Sequence, residues 1–292
     1  MGIKLLHIGL AKCGSTFLHR DIFTEIEKKT KIKLINLYEF IDKKKIIYHA
    51  LENKAELEND LPDNFIISDV TLFSCRWEFN TIFKAFEYNK KNFSSDTIIL
   101  IIIRNPYELL NSIYCQSIYQ KNIVKPEDFF YIEKNNVIRK DGKYNLYGFD
   151  YNSIISLYKN YFKKVVVIKY ENLKKFSYLK EIFNLNDNFL DYLKLKNEHQ
   201  NRSISHIGIK IILFLNKFIN LNKYQIFLRG YIKPTNNIFY KIRNRVLSQF
   251  LLREFFQHKF DKLIPYKKYF INKDHIPIDI NKMVKDYNNM KF

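Results

Sequence analysis

The sequence predicts an α/β fold with a central, mainly parallel β-sheet in three layers, followed by a helical C-terminal part. Two apolar runs, at residues 3–8 and 97–103, have the composition of strands that are buried on both faces. Each run is followed by a short turn and then by apolar residues at helical spacing, an alternation that is typical of parallel sheets. The chain has 292 residues, of which 47% are hydrophobic, and this is enough for a substantial core.

The first apolar run leads into a segment with the pattern of an anion site. Residues 3–8 predict a strand, and residues 15–29 predict a helix because Leu18, Ile22 and Ile26 recur at helical spacing. The first backbone N–H groups of a helix have no intrahelical partner, and the helix dipole adds positive potential there. A turn that joins a strand to a helix N-terminus can therefore bind an anion.

This turn contains two glycines and one lysine. Gly9 and Gly14 have the spacing of G-x-x-x-x-G-K-[ST], but Ser15 stands where that motif has its lysine, and the lysine lies inside the loop at Lys12. The glycines allow close approach of the backbone, and Ser15 and Thr16 add hydroxyl donors. On these residues alone two interpretations stay open: an anion-binding loop, or an ordinary β–α turn with a solvated lysine.

A second turn of the same kind follows the run at residues 97–103. Arg104 comes directly after this strand, where open α/β sheets bind ligands. Asn105 suits a helix N-cap and Pro106 suits the first helical position. Ser112 lies eight residues after Arg104 on the predicted helix. A guanidinium binds a terminal phosphate with two parallel hydrogen bonds, and a serine two turns further along the helix can add a donor.

Both segments resemble motifs of one enzyme family. Lys-x-Gly-Ser-Thr at Lys12 to Thr16 resembles the 5′-phosphosulfate loop of sulfotransferases that use 3′-phosphoadenosine 5′-phosphosulfate (PAPS). Arg-x-Pro at Arg104, with Ser112 after it, resembles the 3′-phosphate motif of the same family, and the two motifs stand in the family's order. The resemblance implies a P-loop-like topology. It also implies that these residues bind the donor: Lys12, Cys13, Gly14, Ser15, Thr16, Phe17, Arg104 and Ser112.

Two weaker segments extend the resemblance over roughly residues 3–220. Residues 165–173 look like the late core strand and Tyr-Glu-x-Leu turn of bacterial carbohydrate sulfotransferases, and we expect Glu171 to be structural. Asn201, Arg202 and Ser203 look like the family's Asn-x-Ser segment, which helps to hold the nucleotide.

The resemblance implies sulfuryl transfer from PAPS to a hydroxyl or amine of a glycan or other small acceptor, with adenosine 3′,5′-bisphosphate as product and no metal. Lys12 and the N–H groups of residues 14–17 would stabilise charge on the leaving phosphate oxygen. A general base must take the acceptor's proton, and Glu39, Asp69 and His49 are the candidates, in that order. His7, inside the first predicted strand, is expected to be a packed core histidine.

The net charge of +19 is concentrated near the C-terminus, where residues 202–292 contain 18 Lys and Arg against five Asp and Glu. An apolar stripe at residues 240–255 alternates with basic residues and predicts an amphipathic helix. This helix could pack on the core, guide a polyanionic acceptor or make peripheral contact with an anionic membrane. Few glycines and prolines leave little room for a long linker. We therefore expect one domain over residues 1–292, with residues 207–292 as its basic helical C-terminal portion.

Other function classes are weaker predictions from the same sequence. A P-loop kinase is the alternative enzyme, but the lysine is displaced and a convincing acidic Mg²⁺ partner is missing from the pattern. Nucleic-acid or polyanion binding fits the basic composition, although no recognised nucleic-acid module is present, so a nucleic-acid partner is not expected. The three cysteines, at positions 13, 75 and 115, are too few and too far apart for a disulfide framework or zinc cluster. With no signal-peptide pattern at the start, we expect a cytoplasmic protein.

Overall fold

The predicted α/β fold is confirmed. The computed structural model describes residues 2–35, 61–74, 79–119, 123–134, 143–196, 205–219 and 266–292. Its main sheet has five parallel strands in the order β2-β3-β1-β4-β7. These strands are β1 (Lys4–Gly9), β2 (Lys33–Ile35), β3 (Phe65–Ser68), β4 (Ile98–Ile103) and β7 (Val165–Lys169). A separate pair consists of β5 (Phe130–Tyr131) and β6 (Tyr144–Asn145).

The helices fall between these strands and after β7. They are α1 (Ser15–Phe17), α2 (Thr24–Lys29), α3 (Ile82–Asn92), α4 (Pro106–Tyr119), α5 (Pro126–Phe129), α6 (Tyr151–Lys159), α7 (Ser177–Phe183), α8 (Asp187–Lys196), α9 (His206–Ile219) and α10 (Ile280–Asn289). A π-helical segment, Leu18–Phe23, joins α1 to α2, so the helix expected over residues 15–29 is continuous but wider in its middle. Short 3₁₀ turns occur at Val70–Leu72, Phe79–Thr81, Tyr170–Lys175 and Lys273–His275.

The centre of the sheet is formed by the two most apolar strands. In β4, every residue from Ile99 to Ile103 is at most 1% exposed, and in β1 Leu5, Leu6 and Ile8 are fully buried. A strand that is covered on both faces needs apolar side chains at successive positions rather than at alternate ones. This is why the uninterrupted isoleucine run of β4 lies inside the sheet, between β1 and β7.

The C-terminal portion includes α9 and α10. Helix α10 packs against α4, and its Tyr287 hydroxyl donates a hydrogen bond to Glu171 Oε2. Helix α9 has an exposed apolar face on which Phe214 is 58% and Phe218 is 72% exposed. The amphipathic helix expected at residues 240–255 lies outside the described residues. The expectations of a single domain and of membrane contact stay predictions.

Candidate active site

The two predicted motifs leave the same edge of the sheet from neighbouring strands. Strands β1 and β4 are parallel, with Gly9 opposite Ile102 in their register. The loop after β1 and the turn after β4 therefore start side by side at the carboxyl ends of the central strands, where ligands bind in open α/β sheets.

The loop after β1 is a compact turn with two residues in the left-handed region. Lys12 has φ 73° and Gly14 has φ 86°. The Cys13 N–H donates to the Leu10 carbonyl oxygen at 3.2 Å, and the Leu18 N–H donates to the Gly14 carbonyl oxygen at 3.0 Å. Glycine adopts this conformation freely, whereas a lysine there costs about 1–2 kcal/mol. Backbone strain of this kind is concentrated at functional sites, which agrees with the expectation that Lys12 takes part in ligand binding.

Gly14 also lies in close contact with its neighbours. A Cβ at Gly14 would lie 2.5 Å from Leu173 Cδ2 and 3.3 Å from Tyr170 Cε2. The loop thus rests directly on the 3₁₀ turn that follows β7. The Tyr-Glu-x-Leu segment, which the sequence marked only weakly, therefore supports the loop after β1.

The helix that begins at Ser15 provides the donors expected of an anion site. The first hydrogen bond of this helix goes from the Leu18 N–H to the Gly14 carbonyl oxygen. The N–H groups of Ser15, Thr16 and Phe17 come before it and therefore have no intrahelical acceptor. The Ser15 Oγ atom is buried and has no hydrogen-bond partner among the described residues. Phe17 stacks on Phe176 at a centroid distance of 6.3 Å, which holds the first turn in place.

Arg104 connects the two motifs. Its Nη1 donates a hydrogen bond of 3.0 Å to the Lys12 carbonyl oxygen, and its Nη2 lies 3.2 Å from Glu108 Oε2. The guanidinium carbon lies 4.5 Å from the centroid of the Tyr170 ring, in cation–π contact. The third nitrogen, Nε, is buried and has no partner in the described part of the chain. Arg104 is thus fixed by three contacts, while its Nε has no partner among the described residues.

The turn after β4 forms as the sequence predicts. The Asn105 side-chain oxygen accepts hydrogen bonds from the N–H groups of Tyr107 at 3.1 Å and Glu108 at 3.2 Å, and α4 starts at Pro106. The Tyr151 hydroxyl donates to the Arg104 carbonyl oxygen at 2.7 Å, which fixes the backbone at the turn. Ser112 is half-buried on α4, two turns after Arg104.

Glu108 and Tyr151 are absent from the sequence-based expectations, and Tyr170 enters them only as part of the Tyr-Glu-x-Leu turn, although one signal was available for Glu108. Glu108 stands four residues after Arg104, a spacing at which ion pairs form on a helix. Lys268 also lies 3.0 Å from Glu108. Partial burial raises the pKa of Glu108, but the hydrogen bonds and charges of Lys268 and Arg104 outweigh it, so the net pKa is lowered. Tyr151 and Tyr170 are contacts across elements, which residue spacing does not encode.

Cys13, between Lys12 and Gly14, is a packing residue. Its side chain is fully buried, and burial raises the pKa of the thiol to about 12 despite the positive charge of Arg104. The thiolate is the nucleophilic form of cysteine, so Cys13 is not set up for covalent chemistry. The buried side chain of Cys13 anchors the loop to the core.

Of the three candidate bases, only Asp69 lies within the described residues. Its Oδ1 accepts hydrogen bonds of 2.7 Å from both the N–H and the hydroxyl of Thr71, so Asp69 caps the 3₁₀ turn that follows β3. Glu39 and His49 lie outside the described residues, as do Asn201, Arg202 and Ser203. The assignment of a base therefore stays a prediction.

The expectations for His7 and Glu171 agree with the structure. His7 is 1% exposed, and its Nδ1 lies 2.7 Å from Ser68 Oγ. Glu171 holds Tyr287 of α10, a structural contact at the base of the loop.

The described residues contain no group of three or more His, Cys, Asp and Glu side chains placed to hold a metal ion. Within the same residues, no helix is both long and apolar enough to cross a membrane.

Comparison with known proteins gives structural similarities only. No protein-family model matches the chain, and no curated protein matches it. The chain is similar to a sulfotransferase from Alicyclobacillus acidocaldarius with a TM-score of 0.38 and 14% identity, covering 77% of this chain and 96% of that one. It is also similar to mouse sulfotransferase SULT7A1 complexed with PAP, with a TM-score of 0.36 and 15% identity, covering 98% of this chain and 89% of that one. Similarities of this size carry no argument about activity, which rests on the residues of the site.

Proposed function

We propose that this protein is a sulfotransferase that takes a sulfuryl group from PAPS and transfers it to a hydroxyl or amine of a glycan or other small acceptor. The observation that carries the proposal is the hydrogen bond from Arg104 Nη1 to the Lys12 carbonyl oxygen. It brings two motifs that resemble the two phosphate-binding motifs of one enzyme family to one edge of the sheet. The bond supports a single site for a nucleotide with a phosphate at each end of its ribose.

The residues at this edge fit a ligand with two anionic groups. Ser15 Oγ and Arg104 Nε are both buried polar atoms without a partner among the described residues. A buried donor that stays unpaired costs about 1–3 kcal/mol, and more when it is charged. Anionic oxygens next to the loop and next to the guanidinium would satisfy both atoms.

At the loop, Lys12 and the first N–H groups of the helix would bind the 5′ end of the donor. When bound, PAPS supplies an activated sulfuryl group on a phosphate that can leave. Lys12 is exposed and its backbone is held in the left-handed region, so its side chain leaves the loop on the solvent side of this edge. The N–H groups of Ser15, Thr16 and Phe17 are fixed by the helix start, and donors fixed in advance stabilise developing charge without reorganisation.

At the turn after β4, Arg104 and Ser112 would bind the 3′-phosphate. Tyr170 and the Lys12 carbonyl oxygen keep the guanidinium beside the loop. Charge-assisted contacts of arginine with phosphate are strong and directional, and they would fix the position of the donor. Glu108 competes for the same guanidinium, so phosphate binding would require Arg104 to share or exchange that partner.

A thermal-shift screen tests the proposal without knowledge of the acceptor. Adenosine 3′,5′-bisphosphate, ATP, GTP and oligonucleotides are compared at equal concentration. A ligand at one hundred times its Kd adds about 2.7 kcal/mol to the free energy of unfolding and raises the midpoint. We expect the largest rise with adenosine 3′,5′-bisphosphate. A larger rise with ATP would support a kinase instead, and a rise with oligonucleotides alone would support nucleic-acid binding.

A further inference from the structure

The buried imidazole of His7 has one nitrogen that the fold does not explain. His7 lies inside β1, directly behind the anion loop, and is 1% exposed. Nδ1 is 2.7 Å from the hydroxyl of Ser68 on the neighbouring strand β3. Nε2 is also buried but has no hydrogen-bond partner in the described part of the chain. Burial lowers the pKa of His7 to about 3, with a smaller effect from His19, so the ring is neutral at pH 7.

A second buried atom without a partner faces the same place. A Cβ at Gly9 would lie 3.2 Å from His7 Nε2 and 3.6 Å from Ser15 Oγ. The face of Gly9 that carries no side chain is therefore turned towards both atoms. Ser15 Oγ likewise has no partner among the described residues. Two buried polar atoms that both lack a partner, His7 Nε2 and Ser15 Oγ, would not be expected next to the same glycine by chance, since each unpaired buried polar group is unfavourable.

We infer that His7 is a positioning residue, which orients the Ser15 hydroxyl of the anion loop through one buried water molecule held against Gly9. Buried waters pair with polar groups that would otherwise be unsatisfied, and a site with two or more polar partners suits one. In the neutral ring, the hydrogen bond between Nδ1 and Ser68 decides whether Nε2 donates or accepts. The chain of hydrogen bonds from Ser68 through His7 and the water to Ser15 would thus fix the direction of the Ser15 O–H bond.

The consequence for the site concerns ligand affinity, and only this part rests on the proposed function. An oriented hydroxyl is ready to donate to an anion in the loop, whereas a freely rotating one must first be ordered. Loss of His7 Nε2 should therefore weaken anion binding at Ser15 although His7 itself does not touch the ligand.

The link between His7 and Ser15 is tested first without any ligand, by denaturant unfolding of His7→Phe, Ser15→Ala and the double variant. A shared water makes the two substitutions non-additive, by about threefold or more in the unfolding equilibrium constant. Gly9→Ala adds a methyl group between His7 Nε2 and Ser15 Oγ that would displace the water, so the same cycle repeated in the Gly9→Ala background should be additive. Should His7→Phe fail to fold, His7→Leu is used, which also has no hydrogen-bonding group, and Gly9→Ala still reports on the link. Additive effects of the single substitutions would overturn the inference.

The role in binding is tested by calorimetry with adenosine 3′,5′-bisphosphate and by ¹⁵N spectra of the His7 ring. We expect His7→Phe to weaken binding by about three- to tenfold, His7→Gln to recover part of it, and the control His19→Gln to leave it unchanged. At saturating ligand the Nε2 resonance should shift in the wild-type protein and not in Ser15→Ala. An equal shift in both would overturn the inference. If the wild-type protein does not bind this nucleotide at all, the proposed function fails, while the unfolding cycle still decides on His7 and Ser15.

Discussion

The two turns at the carboxyl edge of the sheet differ in how fully their polar groups are paired. In the turn after β4, Asn105 caps α4, Tyr151 holds the backbone, and Arg104 has partners on two of its three nitrogens. In the loop after β1, the Ser15 hydroxyl has no partner among the described residues, and Lys12 is held in a strained conformation.

The difference indicates that the two turns contribute to the site in different ways. A segment whose polar groups are internally paired is stable by itself, and it can hold a neighbour in place. A segment with buried unpaired donors is stabilised when a ligand supplies the missing acceptors. We therefore regard the β4 turn as the rigid side of the site, although each turn keeps one buried unpaired atom among the described residues, Arg104 Nε and Ser15 Oγ, that a bound anion would satisfy.

The largest effect is expected from Lys12→Ala. Removal of one fixed donor that stabilises transition-state charge costs about 10²–10³-fold in turnover. The fold should stay intact because the side chain is exposed. Release of adenosine 3′,5′-bisphosphate from PAPS, measured with an acceptor, reports the loss. Lys12→Gly, which relieves the left-handed strain at φ 73°, should be as inactive and no less stable. Near-normal turnover by either folded variant would remove Lys12 from the mechanism.

The next largest effect concerns the close contact between Gly14 of the β1 loop and Leu173. Gly14→Ala should destabilise the protein by about 2–4 kcal/mol, since it adds a left-handed alanine and a collision with Leu173. Gly148→Ala is the matched control: Gly148 has φ 80°, but a Cβ there would be no closer than 3.5 Å to any neighbour. Denaturant unfolding should give the smaller loss for Gly148→Ala. Equal losses would mean that the contact with Leu173 does not matter.

The stability of the folded protein should depend on pH through His7, which lies behind the β1 loop. The pKa of His7 is lowered to about 3 in the folded protein, against an ordinary value of 6.5. The unfolded chain then binds a proton that the folded one does not, so stability falls as the pH drops below 6.5 towards 3. The slope from this residue is at most about 1.4 kcal/mol per pH unit. Unfolding curves of His7→Phe should lack this component, and identical slopes in both proteins would refute it.

The smallest effect tests the rigid side. Glu108→Gln removes a carboxylate that holds Arg104 and repels an anionic ligand, so adenosine 3′,5′-bisphosphate should bind a few-fold more tightly. The gain is small because ion pairs that are partly exposed are worth about 0.2–1 kcal/mol. Glu87→Gln removes a carboxylate of α3 that pairs with Lys90 and not with Arg104, and it serves as the control in calorimetry. Weaker binding by Glu108→Gln would show that the pair with Glu108 prepares Arg104 for the ligand.

Local patterns predicted most of the framework. The isoleucine run of β4, the cap at Asn105 and the helix start at Ser15 depend on neighbouring residues, and all three are confirmed. The contact of Arg104 with Lys12 and the packing of Gly14 on Leu173 join residues far apart in the chain, so no local spacing encodes them. Asp69 shows a third case, because a carboxylate after a strand fits both a base and a cap: its bonds to Thr71 show that it is a cap, while its role as a base stays a prediction.

Binding of two matched nucleotides to the wild-type protein and to Arg104→Ala tests the central claim most directly. Adenosine 3′,5′-bisphosphate and adenosine 5′-monophosphate differ only in the 3′-phosphate, so calorimetry with both isolates the contact at the β4 turn. We predict that the wild-type protein prefers the bisphosphate by about tenfold or more, and that Arg104→Ala loses this preference, because a charge-assisted bond is worth about 1.5–3 kcal/mol. Equal weakening of both nucleotides by Arg104→Ala would contradict the account and leave Arg104 as a structural brace of the loop.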